Sequence, residues 1–338
     1  MKAVAYSIRP FEKEFLAIAN QKKHDITLIA NPLNNKTTSY AEGKDAVIVF
    51  TNDEVSAEVI DQLAALSIKY IITRSTGTDH IDKAAAEKYG IKVSNVPSYS
   101  PQAIAEHSVA MAFALNRRLI KADKNSHQFD FRNEDLIGFN FSGKTVGLIG
   151  LGHTGLAAAK IYNGLGCTVI GYDPYFQGKA YDIESVSIEV LLGSADILSL
   201  HLPLTTATQY LIREETLNRM KDGVMLINTS RGGLINTVDV LVALKKGKIG
   251  YLGLDVYEHE QGLFFEDHSK DAHKDALLQI LLTYENVLIT PHQAYLTKEA
   301  LQEIAIQTIA NLDNLQMKKC LGDACVCKKG CRVIIPAN

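Results

Sequence analysis

The sequence predicts an α/β protein of two domains, each a parallel sheet covered by helices. Three observations carry that reading. The chain has 338 residues, which suits about two domains at the usual size of roughly 150 residues each. Short apolar runs alternate with longer amphipathic ones along most of its length, the pattern of βα repeats. A glycine-rich strand–turn–helix stretch, VGLIGLGHTG at 146–155, stands near the middle of the chain, where it splits the βα repeats into two series.

The first series occupies residues 1–98. Lys2–Ile8, Ile26–Ala30, Ala46–Phe50, Tyr70–Thr73 and Lys92–Val96 read as short buried strands. A helix is expected from Ser100 and Pro101, a good N-cap and a good first helical residue, to about Leu119. Ile104, Met111, Leu115 and Leu119 recur there at helical spacing and define its buried face. The polar stretch Lys121–Asn140 follows. The second series runs from Lys144 to about Pro291, with strands at Thr145–Ile149, Thr168–Tyr172, Ile197–Leu200, Val224–Asn228, Tyr251–Asp255 and Val287–Thr290. Six strands with intervening helices complete a doubly wound sheet. A last amphipathic helix is expected over Thr297–Met317. The late glycine loop then has a simple explanation: the second domain, 99–297, is inserted into the first, 1–98 and 298–338. A chain that crosses twice between domains is expected to leave a cleft with a hinge.

Composition narrows the function classes. Hydrophobic residues make up 46% and charged residues 22%, with a formal net charge of −3. That is an ordinary globular composition, with no electrostatic call for nucleic acid or an anionic membrane. No apolar run approaches the roughly 20 residues that span a bilayer. Arg9, Glu12, Lys13 and Glu14 come too early for a secretory signal, so a cytoplasmic protein is expected. Of five cysteines, Cys167 stands alone, whereas Cys320, Cys325, Cys327 and Cys331 crowd into the tail. Their spacing, C-x4-C-x-C-x3-C, lacks the paired C-x2-C of common zinc sites. Free thiols are the first reading; a metal-binding or redox-active tail is the alternative.

The glycine loop carries the first chemistry. A bare GxGxxG is a weak signal, but here it follows a strand, opens a helix, and is succeeded by Asp173 at the end of the next strand. That spacing is the one expected for dinucleotide binding. Gly150 permits the tight turn, Gly152 lets backbone amides approach a pyrophosphate, and Gly155 allows close helix–strand packing. Asp173 would accept hydrogen bonds from an adenosine ribose and repel a 2′-phosphate, so NAD is preferred over NADP.

Three further residues stand just beyond strand ends: Arg231 in NTSRGG, Glu260 in LDVYEHE and His292 in TPHQA. Singly, each would pass for a surface or packing residue. Together at the carboxyl edge of a parallel sheet, where ligands bind, they suit reduction of an α-keto acid. A histidinium supplies the proton that the carbonyl oxygen needs once hydride has arrived. A neighbouring carboxylate favours the imidazolium and orients it. An arginine grips the substrate carboxylate and polarises the keto oxygen. His292 is thus expected as acid/base, Glu260 as its partner and Arg231 as substrate binder. His80, His107 and His259 receive no role.

These motifs are also family motifs. YSIR (6–9), VPSYSPQAIAEH (96–107), GLGHTG (150–155), YDP (172–174), HLPLT (201–205), NTSRGGLI (228–235), GLDVYEHE (253–260), LFFED (263–267) and PHQAYLT (291–297) together resemble the D-isomer-specific 2-hydroxyacid dehydrogenase family over nearly the whole chain. LFFED followed by HQAYLT resembles the bacterial fermentative D-lactate branch in particular. The resemblance implies two Rossmann-like or flavodoxin-like domains and reversible reduction of pyruvate to D-lactate with NADH. It places the family's catalytic Arg, Glu and His on Arg231, Glu260 and His292. It adds Thr76 and Gly77 as a carboxylate-binding loop, Tyr99 and Tyr295 on the substrate side, and His153, Thr154, Pro203, Thr229 and Asp255 beside the cofactor. It also implies a homodimer or homotetramer. The clustered tail cysteines depart from the family pattern. Two alternatives stay open: a dehydrogenase for a bulkier 2-keto acid such as phenylpyruvate or 2-ketoisocaproate, and an NAD-sensing regulator on the same scaffold.

Overall fold

The computed structural model describes residues 1–176, 182–272 and 274–326. The tail thiols Cys327 and Cys331 lie outside the described residues. The chain divides into two compact units, Met1–Ser100 with Leu296–Asn338, and Pro101–Tyr295.

The first unit holds strands β1 (Lys2–Ala5), β2 (Asp25–Leu28), β3 (Ala46–Val49), β4 (Tyr70–Thr73) and β5 (Lys92–Ser94). They form one sheet in the order β2-β1-β3-β4-β5, every pairing parallel. This is the flavodoxin-like order. Side chains alternate across the sheet. Val4, Val47, Val49 and Ile71 enter one core. Ala3, Ala5, Ala46, Ile48 and Ile72 enter another, closed by Ala305, Ile309 and Leu312 of the helix Lys298–Gln316. That late helix packs against β4 and against the helix Glu12–Asn20. It starts at Thr297, whose hydroxyl accepts from the Ala300 amide as an N-cap should.

The second unit holds β6 (Thr145–Ile149), β7 (Thr168–Tyr172), β8 (Glu184–Ser185), β9 (Ile197–Leu200), β10 (Val224–Asn228), β11 (Ile249–Leu254) and β12 (Val287–Ile289). Their order is β12-β11-β10-β9-β6-β7-β8, again all parallel. The order reverses between β6 and β9, and that topological switch point is where such sheets bind nucleotides. Leu198, Leu200, Leu226 and Leu252 pack on one face; Val146, Leu148, Met225 and Ile227 pack on the other, with Ala105, Ala112 and Leu115 of the helix Pro101–Asn116.

Two expectations differ in detail. The sheet has a seventh strand, the two-residue β8, too short to show a period. The helix begun at Pro101 stops at Asn116, because Arg118 adopts a left-handed conformation (φ 48°) and opens a second helix, Leu119–Ser126. Leu119 is accordingly exposed, and small residues such as Ala105, Ser108 and Ala112 supply much of the buried face.

Candidate active site

The carboxyl edge of the second sheet gathers most of the predicted residues. Asn228, Leu254 and Ile289 are register partners on β10, β11 and β12, so the loops that follow start side by side. The loop after β10 is folded by buried Asn228, whose Oδ1 accepts from the Ser230 amide at 3.0 Å and whose Nδ2 donates to the Arg231 carbonyl at 2.8 Å. Ser230 Oγ ties it to the Leu200 carbonyl at 2.7 Å. Arg231 is half-buried, and its Nη1 donates to the Ser230 carbonyl at 2.7 Å.

The loops after β11 and β12 meet directly. His292 Nδ1 lies 3.0 Å from Glu260 Oε1. Glu260 is itself held, since its Oε2 accepts from the Tyr257 amide at 3.0 Å. The His292 ring also contacts the Phe265 ring, centroids 5.7 Å apart. An ionised carboxylate only accepts, so Nδ1 carries a hydrogen and Nε2 is left as the working nitrogen. His292 has φ 52°, a conformation few non-glycine residues adopt. Its amide donates to the Asp255 carbonyl at 2.8 Å. Asp255 is 0% exposed; its Oδ1 accepts from Thr290 Oγ1 at 2.6 Å and the Gln293 amide at 2.9 Å, and its Oδ2 from the Ala294 amide at 2.8 Å. Tyr295, next in line, is buried.

The glycine loop follows β6, at the switch point. Gly150 has φ +94°, and a Cβ there would lie 2.2 Å from the His201 carbonyl oxygen. A Cβ on Gly155 would lie 2.0 Å from the Gly150 carbonyl oxygen. Gly152, the N-cap of the helix His153–Gly164, faces open space, with nothing within 4 Å of a Cβ. His153 and Thr154 form the first turn of that helix, and His153 is exposed. Asp173 Oδ2 accepts from the Leu151 amide at 2.9 Å, which ties the end of β7 to the loop. Pro203 lies exposed after β9, and buried Thr229 follows β10.

Thr76, Gly77 and Tyr99 belong to the first unit. Thr76 and Gly77 follow β4 at that sheet's carboxyl edge. Thr76 Oγ1 donates to the Val96 carbonyl at 2.9 Å, and Ser75 Oγ to the Gly77 carbonyl at 2.7 Å. Tyr99 is half-buried, just before the crossing to the second unit.

Comparison with known proteins decides the family. Residues 109–294 match the family model described as D-isomer specific 2-hydroxyacid dehydrogenase, NAD binding domain. This chain belongs to the D-isomer-specific 2-hydroxyacid dehydrogenases. It is similar to the D-lactate dehydrogenase of Escherichia coli, 41% identical over 94% of this chain and 97% of that one. It is also similar to the aromatic 2-oxoacid reductase of Clostridium sporogenes, 36% identical over 97% of this chain and 100% of that one. Among solved structures it resembles the pyruvate reductase of Chlamydomonas reinhardtii, with a TM-score of 0.89 and 41% identity, covering 95% of this chain and 98% of that one. The protein is therefore an oxidoreductase, and its second unit carries the NAD-binding domain.

The residues present fit NAD. Gly152 leaves room at an exposed helix N-terminus, where backbone amides and the helix dipole favour a pyrophosphate. Thr229 Oγ1 and His201 Nδ1, buried at the ends of β10 and β9, have no hydrogen-bond partner among the described residues. Among the described residues, no group of three or more His, Cys, Asp or Glu side chains is disposed to hold a metal ion, and Cys167 and Cys320 are free thiols. No helix among them is long and apolar enough to cross a membrane.

Sequence reasoning passed over His107. Its Nε2 lies 3.2 Å from Thr290 Oγ1 and 3.4 Å from Asp255 Oδ1. The one available signal was its spacing, a helical turn before Met111 on the same face.

Proposed function

We propose that this dehydrogenase is a D-lactate dehydrogenase that reduces pyruvate reversibly, with His292 as the acid/base group. The observation that carries the reading is the His292–Glu260 pair, 3.0 Å apart, beyond two adjacent strands of the NAD-binding sheet. When bound, NADH supplies the hydride. Glu260 holds Nδ1–H and offsets positive charge on the ring; His292 Nε2–H gives its proton to the substrate oxygen, and in the reverse direction the neutral ring takes it back. Arg231 binds the substrate carboxylate and polarises the carbonyl. We assign substrate binding also to Thr76, Gly77 and Tyr99 of the first unit, which we take as the substrate domain, and to Tyr295 of the second. Gly150, Gly152, Gly155, His153, Thr154, Pro203 and Thr229 hold the cofactor, Asp173 its adenosine ribose, and Asp255 braces the loop of His292.

The likeness to an aromatic 2-oxoacid reductase supports a second reading, a bulkier substrate with the same mechanism, because apolar pockets discriminate weakly between such acids. One assay separates the two: NADH oxidation with pyruvate, phenylpyruvate and 2-ketoisocaproate, with chiral analysis of the product. Pyruvate is expected to give the highest kcat/KM, with D-lactate as product; a higher value on phenylpyruvate would favour the second reading. His292→Asn is expected to lose at least about 100-fold in kcat, and full turnover in that variant would refute the assignment. We also propose a cytoplasmic location, supported by the free thiols of Cys167 and Cys320, which fit a reducing compartment. We further propose a homodimer or homotetramer, supported by the exposed Phe129, Phe131 and Ile137 of the second unit.

A further inference from the structure

His107 lies on the helix Pro101–Asn116, which packs beneath β10, β11 and β12. The direction of its hydrogen bonding follows from counting protons. The Thr290 hydroxyl has a single hydrogen. It lies 2.6 Å from Asp255 Oδ1 and 3.8 Å from Met111 Sδ. The short contact to a buried carboxylate takes the hydrogen, because charge-assisted bonds at that distance are far stronger than a long contact to sulfur. Thr290 Oγ1 then offers His107 only lone pairs. His107 Nε2 must therefore carry a hydrogen and donate it, to Thr290 Oγ1 at 3.2 Å, with Asp255 Oδ1 nearby at 3.4 Å.

This makes a directed relay: His107 Nε2–H to Thr290, then Thr290 O–H to Asp255. Beyond it, the donors to Asp255 among the described residues are backbone amides. Its carboxylate takes those of Gln293 and Ala294, and its carbonyl takes that of His292. Three consecutive amides of one loop thus converge on a single buried residue, and that loop holds His292 at its left-handed φ. Removing the donor at the far end leaves half-buried Thr290 Oγ1 underpaired and loosens the anchor that sets where Nε2 of His292 points.

We propose that His107 is a positioning residue for the dehydrogenase reaction, acting through Thr290 and Asp255 to fix the loop that presents His292. The inference rests on the reading of His292 as the acid/base group.

Five variants test it: His107→Phe, which keeps a ring but no donor; His107→Gln, whose amide nitrogen can donate from about the same place; Thr290→Val; the double variant His107→Phe with Thr290→Val; and His292→Asn. The measurements are kcat and KM for pyruvate, NADH affinity by fluorescence, and hydrogen exchange of the Gln293 and Ala294 amides. H107F is expected to lower kcat by about 10- to 100-fold, the scale of a misplaced catalytic group. KM and NADH affinity should stay within about threefold, and both amides should exchange faster. H107Q should recover most of kcat. T290V should match H107F, and the double variant should be no worse than either, because both break one relay. A packing role predicts the reverse order, with Phe tolerated and Gln not, and would overturn the proposal. So would losses that multiply in the double variant, or normal kcat and exchange in H107F. If H107F does not fold, T290V against H107Q makes the same comparison. An inactive H292N beside a normal H107F would sink only this inference, whereas a fully active H292N would sink the reading of the site.

Discussion

Two histidines near the carboxyl edge of the second sheet differ in their surroundings. His292 keeps its ring at the edge, half-buried, with Glu260 on Nδ1. His201, one loop away after β9, is buried, its Nε2 meeting Ser199 Oγ at 2.9 Å, and burial pushes its pKa from the ordinary 6.5 down to about 4. The folded form thus refuses a proton that the unfolded chain accepts. Stability from this residue is fully present above about pH 6.5 and is lost as pH falls from there towards 4, at about 1.4 kcal/mol per pH unit. In guanidinium unfolding at pH 7, 6 and 5, His201→Gln should lose about that much less per unit than the wild type over pH 6 to 5. Equal slopes would show that the imidazole is protonated in the folded state.

At the scale of elements, the strand–turn–helix after β6 separates two jobs that one motif combines. Gly150 and Gly155 are packing glycines, each with a backbone oxygen where a Cβ would go, whereas Gly152 faces open space. Gly155→Ala should cost about 1–3 kcal/mol of overpacking, a Tm fall of several degrees for a domain of this size. Gly152→Ala should leave Tm unchanged and weaken NADH binding about tenfold or more, because its methyl stands where the pyrophosphate approaches. Thermal melts with fluorescence titration check both; a Tm loss in G152A would contradict the division. The motif itself was legible in the sequence because its glycines, flanking strand and following acid lie within one stretch of chain. The His292–Glu260 pair was legible as residues at strand ends. The Asp255 anchor with its three amides was not, because backbone amides leave no mark in a sequence.

At the scale of the whole molecule, the two parallel sheets bury their apolar faces within their own units, yet the second unit leaves large apolar side chains in water. Phe129, Phe131 and Ile137 are 87%, 72% and 79% exposed, all between the helix Leu119–Ser126 and β6. Exposed apolar groups gathered in one segment mark an association surface, and a second copy of the chain is the partner that the oligomer proposal assigns to it. Replacing Phe131 and Ile137 by Asp should shift the mass measured by light scattering down to that of a smaller assembly, ultimately one chain. An unchanged mass would place any self-association elsewhere.

By itself the sequence determined the α/β class, the two βα series, the glycine loop with Asp173, and the strand ends that carry Arg231, Glu260 and His292. Each of these is written in local periodicity, or in residue types at short spacing, which backbone sterics and apolar burial translate directly into structure. Tertiary structure alone decided the strand order, and with it the switch point that faces the glycine loop. It ended the first helix of the second unit at Asn116 rather than about Leu119, and it brought His107 from 183 residues away to within 3.2 Å of Thr290. The reason is physical: strand order and helix docking depend on which apolar faces bury one another across long separations, and a polar relay between elements exists only once that packing has set its distances.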